Sequence, residues 1–178
     1  LIPLNTFSQT ILFTQNWSNT SLISNNDDWS QTPAIKGFTG NDFFYVAGTD
    51  PQTITGSGFF PIASVIANQS DPGTLTIGGV AEFDGIPDPS IALQPNITGS
   101  AYAPYIIITL NTLNQTSINI AYNLRDLDGS SDNALQPVAL QYRIGNSGNF
   151  INIPAGFVAD ATTGPNLATL VTSVSAIL

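Results

Sequence analysis

Residues 118–144 read INIAYNLRDLDGSSDNALQPVALQYRI, two alternating apolar runs on either side of an acidic, glycine-containing loop. In the first run Ile118, Ile120, Tyr122 and Leu124 fall on one side, and Asn119, Ala121 and Asn123 on the other. In the second, Val138, Leu140, Tyr142 and Ile144 alternate with Ala139, Gln141 and Arg143. Successive side chains on a strand project to opposite faces, so each run predicts a strand with one face in a core. The 125–137 connection is too long for a tight hairpin turn and carries three carboxylates. Loops of that length often have a task of their own.

Outward from this stretch, the same reading predicts strands at 7–13, 43–47, around Thr53, and at 59–66, 74–77, 80–83 and 90–93. Further candidates lie at 105–110, 150–153 and 167–178. The run YIIITL at 105–110 is apolar on both faces, which suits a central strand buried from both sides or one facing a second layer. No window sustains a helical period, and 12 prolines with 15 glycines interrupt any candidate. Many short strands separated by Gly, Pro, Asn and Asp predict an all-β, two-sheet sandwich, with a jelly roll the first choice. The expected organisation is an apolar N-terminal segment, 1–13, followed by a sandwich domain, 14–178.

The 178 residues suffice for one domain with a sizeable core, and the 42% hydrophobic fraction argues against disorder. The charged fraction is only 8%, against about 25% in an average soluble domain. Lys36, Arg125 and Arg143 are the three basic residues, and the net charge is -9. Such a surface repels phosphate backbones and lacks the basic clusters that hold proteins to anionic lipid, so nucleic acid is not an expected partner. There is no Cys, His or Met. That removes the Ser-His-Asp triad, the Cys-His dyad and the usual zinc sites. Three cleavage points for a trypsin-like protease suit an extracellular or cell-surface setting. No signal peptide opens the chain, and no apolar run approaches the roughly 20 residues of a membrane span.

Four groups of residues are candidates for chemistry. Asp126, Asp128 and Asp132, with Gly129, Ser130 and Asn133, supply hard oxygen ligands of the kind calcium takes. Against an EF-hand, Gly129 sits too early and Pro137 occupies the place of the bidentate Glu. Two plainer readings stand beside it: a solvated turn, and pairing of Asp126 or Asp128 with Arg125. Glu82, Asp84 and Asp88 form a second acidic patch, but Pro87 and Pro89 mark a turn, and nothing assembles the roles of a glycosidase pair. Trp17 and Trp29, with Phe43, Phe44 and Tyr45, are candidates for a sugar-stacking platform; the alternative is that they are core. Sequons at Asn16, Asn19, Asn68, Asn96 and Asn114 are glycosylation candidates, in a chain whose Asn, Ser and Thr content also produces them by chance.

The stretch YNLRDLDGSSDNALQPVALQYRIGNSGNFINIPAGFVADATTGPNLATLVTSVS, residues 122–175, resembles a family of secreted bacterial β-sandwich domains found in large extracellular proteins. Such domains often stand beside nuclease, phosphatase or lamin-tail-like modules. The upstream pieces NWSNTSLISNNDDWS, DPQTI and GGVAEF look like the same family, so the similarity covers nearly the whole chain. The resemblance implies an accessory or structural module, jelly-roll-like, without a catalytic site. It also implies one more strand beyond 170–178, so the sandwich is expected to lack its last strand within the subunit. An unfilled edge invites strand donation between subunits, and the apolar segment bearing Leu1, Ile2, Leu4, Phe7, Ile11 and Phe13 is the expected donor. A head-to-tail contact of that kind builds a filament. The expected function is therefore that of a secreted, non-enzymatic structural subunit that polymerises with itself. The alternative is a carbohydrate-binding accessory module of a larger extracellular enzyme. No cofactor is expected apart from Ca2+ in the Asp126 loop.

Overall fold

Short strands make up the regular architecture of the described residues. The structure is a computed structural model that describes residues 10–41, 48–56, 58, 61–96, 101–127, 134–162 and 170–178. Among these residues nine strands follow in order: β1 (Ile35–Phe38), β2 (Ile66–Gln69), β3 (Gly79–Phe83), β4 (Ser90–Gln94), β5 (Tyr105–Ile108), β6 (Asn119–Arg125), β7 (Gln141–Tyr142), β8 (Ile151–Asn152) and β9 (Val171–Ile177). The only helical elements among the described residues are three-residue 3-10 turns at Pro51–Thr53, Pro72–Thr74 and Pro154–Gly156. Each starts with proline, whose fixed φ and missing N–H suit the first position of a turn. The chain is all-β.

The described strands form four small sheets. β2, β3 and β4 make a three-stranded sheet in which β2 runs parallel and β4 antiparallel to β3. β1 pairs with β5, β6 with β9 and β7 with β8, all antiparallel. Every residue of β3, GVAEF, is buried. Beside it Ile23, Trp29, Ile35, Val65, Ala67 and Val80 form a core, with Phe13, Trp17 and Leu22 packed against it. Burial of each Val or Ile there contributes about 1.5–3 kcal/mol. Gly37 in β1 lets the layers meet: a Cβ at that position would lie 2.7 Å from both Trp29 Cζ2 and Val80 Cγ1.

Several expectations change. The strands at 80–83 and 90–93 are present as β3 and β4, each extended by one residue. The segment around Thr53 is a 3-10 turn N-capped by the Asp50 carboxylate, not a strand. Pro72 likewise turns the start of the 74–77 candidate, and β2 begins only at Ile66. Among the described residues β5 pairs with β1 alone and Ile108 is half exposed, so the YIIITL run is not buried from both sides. The buried central strand is β3, which contains a glutamate. β1 (IKGF) has no strand signal of its own, having lysine and glycine in mid-run.

The two runs flanking the acidic loop also find different partners. β6 pairs with β9, with Tyr122 opposite Val174 at its centre. In the second run only Gln141–Tyr142 is strand, paired to β8, and Val138 bridges to Val158. The expected inward Ile144 is 89% exposed. Gln141, on the polar side of the run, donates from its side-chain amide to the carbonyls of Pro51 (3.4 Å) and Ile54 (3.1 Å) and to Asn152 Oδ1 (2.9 Å). Asn152 Nδ2 donates in turn to Gln52 O at 2.7 Å. Two amides thus fasten the 51–54 turn to a hairpin about ninety residues away in sequence.

Candidate functional site

The polar segment 24–28 covers a sheet edge. Asn26 Oδ1 accepts from Ala67 N at 2.9 Å, and Asp27 Oδ1 from Val65 N at 3.1 Å. Asp27 N donates to Val65 O at 2.9 Å, and Asn68 Nδ2 donates to Ser24 O at 3.1 Å. Side-chain oxygens therefore satisfy donors that a neighbouring strand would otherwise take. Asp27 adopts a left-handed conformation, φ 63°, which Asn and Asp tolerate better than most residues.

Glu82 has a comparable task. The β2–β3 register shifts between the Ile66–Ala81 and Gln69–Phe83 pairs, which leaves an irregularity at Ala67 and Asn68. Asn68, at φ 58°, turns its N–H out of the ladder, and Glu82 Oε2 accepts it at 2.9 Å. Burial raises the Glu82 pKa above its ordinary value; the Asn68 bond lowers it in part, and the charge of Asp84 raises it again. Asp88 pairs with Arg125 Nη1 at 3.1 Å, and Arg125 also donates to the Asp88 carbonyl and to Ser90 Oγ. The patch of Glu82, Asp84 and Asp88 is thus divided between two structural contacts. Arg125, expected as a partner for the acids that follow it, forms its ion pair with Asp88.

The β6–β9 ribbon is the longest pairing, with seven residues in each strand. Its inner face places Ile120, Tyr122 and Leu124 beside Ala176, Val174 and Thr172. Its outer face is exposed and uncharged through the middle. There Ser173 Oγ donates to Asn123 Oδ1 at 2.9 Å, and Ser175 Oγ to Asn119 Oδ1 at 3.2 Å. A shallow trough of about 390 Å3, lined in part by Ala121, Asn123, Ser173 and Ser175, lies over the centre. Leu178 N donates to Ile118 O and Asp126 N to Leu170 O, so the hydrogen-bonded pairs of this ladder are the even-numbered ones. The backbone groups of Val171, Ser173, Ser175 and Ile177 consequently point away from β6. No other strand pairs with β9 among the described residues.

The chain matches no family model, no curated protein and no solved structure. Its own geometry carries the functional argument.

The remaining candidates divide clearly. Trp29 is 5% exposed and belongs to the core, whereas Trp17 is half-buried and packs against that core. Phe43, Phe44 and Tyr45 lie outside the described residues. Of the calcium candidates, Asp126 is buried at the end of β6, whereas Asp128 and Asp132 lie outside the described residues. Among the described residues no group of three or more His, Cys, Asp or Glu side chains is arranged to hold a metal. No helix among them is long and apolar enough to cross a membrane.

Asn16 and Asn19 are exposed, and each side-chain oxygen accepts from the serine two residues on, backbone N–H and hydroxyl alike. Asn68 has its amide nitrogen engaged by Ser24, Asn96 bridges to Ala101, and Asn114 sits in an exposed turn at φ 61°. In the N-terminal segment Leu1, Ile2, Leu4 and Phe7 lie outside the described residues. Ile11 is 78% exposed, while Phe13 packs against its own subunit's core. The residues that sequence reasoning missed are Asn26, Asp27 and Gln141. Asn26 and Asp27 stood in a segment legible only as polar, and Gln141 on the polar side of a strand, so neither position signalled its distant partner.

Proposed function

We propose that the protein is a secreted structural subunit of an extracellular filament or surface assembly, held together by strand exchange between neighbours. The observation that carries this reading is the contrast between two sheet edges. The β2 edge is covered by Asn26 and Asp27. β9 bears no charge, proline or glycine, and has no strand on its outer side among the described residues. Natural sheets usually blunt exposed edges with charge, proline or bulges. An unblunted seven-residue edge suits a surface kept for pairing. Further support comes from Glu82, Asp27 and Asp88, whose carboxylates hold backbone or Arg125 in place.

Strand exchange would use the apolar residues ahead of Phe13 as the donated segment. Negative-stain electron microscopy of native material should show filaments or sheets. Deletion of residues 1–12, which leaves Phe13 in the core, should abolish them while the thermal transition persists. Assemblies that survive the deletion would remove strand donation by this segment.

A further inference from the structure

We infer that the outer edge of β9 pairs antiparallel with the same edge of a second copy of this chain, about a twofold axis through Val174. This inference rests on the self-assembly reading above and names one of its contacts.

The argument is the near-palindrome of the strand, V-T-S-V-S-A-I over Val171–Ile177. Antiparallel pairing about Val174 sets Val171 opposite the second copy's Ile177, and Ser173 opposite its Ser175. These four residues carry the backbone groups that point away from β6, as the alternation of the β6–β9 ladder requires. They would form the hydrogen-bonded pairs of the new ladder, with the axis falling on a non-hydrogen-bonded pair. The side chains match as well. Val171 is 50% exposed and Ile177 70% exposed, so two apolar pairs would be covered, one at each end. The serines between them are small, uncharged and exposed. A shift of register by two residues would set Ser against Ile and leave one apolar end uncovered.

Charge favours this edge over that of β6. At a net charge of -9, two copies repel except where neither carries charge, and β9 carries none. The corresponding β6 residues are Asn119, Ala121, Asn123 and Arg125. Arg125 is held by Asp88, so pairing there would have to accommodate that ion pair. A twofold contact closes on itself, so it supplies a dimer. A filament would require a second contact, the donated segment seated on an edge other than that of β9. The product at this interface is a continuous four-stranded sheet, β6-β9 followed by β9-β6 of the second copy.

Cysteine cross-linking tests the register, because the chain has no native cysteine. Ser173→Cys and Ser175→Cys are exposed replacements, and circular dichroism and a thermal melt verify the fold of each. Opposed residues in a hydrogen-bonded pair have Cα atoms about 5.5 Å apart, within disulfide range. Identical residues, two positions out of step, lie about 8 Å apart, beyond it. Under oxidised glutathione, a mixture of the two variants should give a disulfide dimer, and neither alone should exceed background. Equal cross-linking by either variant alone would overturn the register.

No cross-link in the mixture, under conditions where microscopy shows filaments, would overturn the β9 contact and leave self-assembly standing. Neither cross-link nor assembly would remove both. Val171→Glu combined with Ile177→Lys gives an independent readout in sedimentation. Each single change should weaken the dimer, and the double change, which opposes Glu to Lys at both ends, should restore it. Failure of the double variant to recover would also count against the pairing.

Discussion

Glu82 lies in the most buried strand of the chain, with its carboxylate on the Asn68 N–H, so removing it and neutralising it have different consequences. Glu82→Leu leaves that N–H without its acceptor and should cost about 1–3 kcal/mol in urea unfolding. Glu82→Gln keeps an acceptor oxygen and should cost less than Glu82→Leu at neutral pH. The pH dependence distinguishes the two forms of the wild-type residue. Because burial raises the folded pKa above the ordinary 4.5, the folded state binds the proton more tightly than the unfolded chain does. The stability from this group is present below 4.5 and lost as pH rises through the raised value. Wild type should therefore gain on Glu82→Gln as the solution is acidified through that window; a constant difference would refute the assignment. The sequence placed Glu82 in an acidic turn patch with Asp84 and Asp88. It could not show that a register shift in β2 leaves a donor opposite the glutamate.

At the scale of elements, two kinds of edge exist. The β2 edge depends on two side chains from a segment about forty residues earlier. Asp27→Ala removes the acceptor for Val65 N and places alanine at a positive φ, with an expected loss of about 1–3 kcal/mol. An uncovered edge should also aggregate, measured as light scattering on incubation below the melting temperature. A variant that loses stability without scattering would mean that the β2 edge is protected by something else. The alternation in residues 118–125 was legible, and its inner and outer faces lie where the pattern put them. The alternation in 138–144 was legible but incomplete as a guide, because Gln141 uses its amide on carbonyls of the 51–54 turn. Side-chain hydrogen bonds to distant backbone leave no periodic trace.

For the whole molecule, the low charge content and the sign of the net charge set how copies meet. With -9 spread over a surface that has three basic residues, approach of two copies is opposed at long range. Raising ionic strength from about 0.01 M to about 0.15 M shortens the screening length from about 30 Å to about 8 Å. Self-association should therefore strengthen with salt over that interval, read as a rise in weight-average mass. Association that weakens with salt would point to an interface built on ion pairs and away from the uncharged β9 edge.

The sequence by itself determined that the chain is built of strands, because period-two alternation and turn chemistry are local properties of the backbone. It also established a low-charge, acidic composition without histidine or cysteine. Only the tertiary structure decided which strands pair, that β3 rather than the YIIITL run is the buried centre, and which polar residues cover an edge. Those choices rest on contacts between residues far apart in sequence, such as Asn26 with Ala67 and Gln141 with Pro51. Their free energy depends on the whole chain having closed around them, and no window of neighbouring residues contains that information.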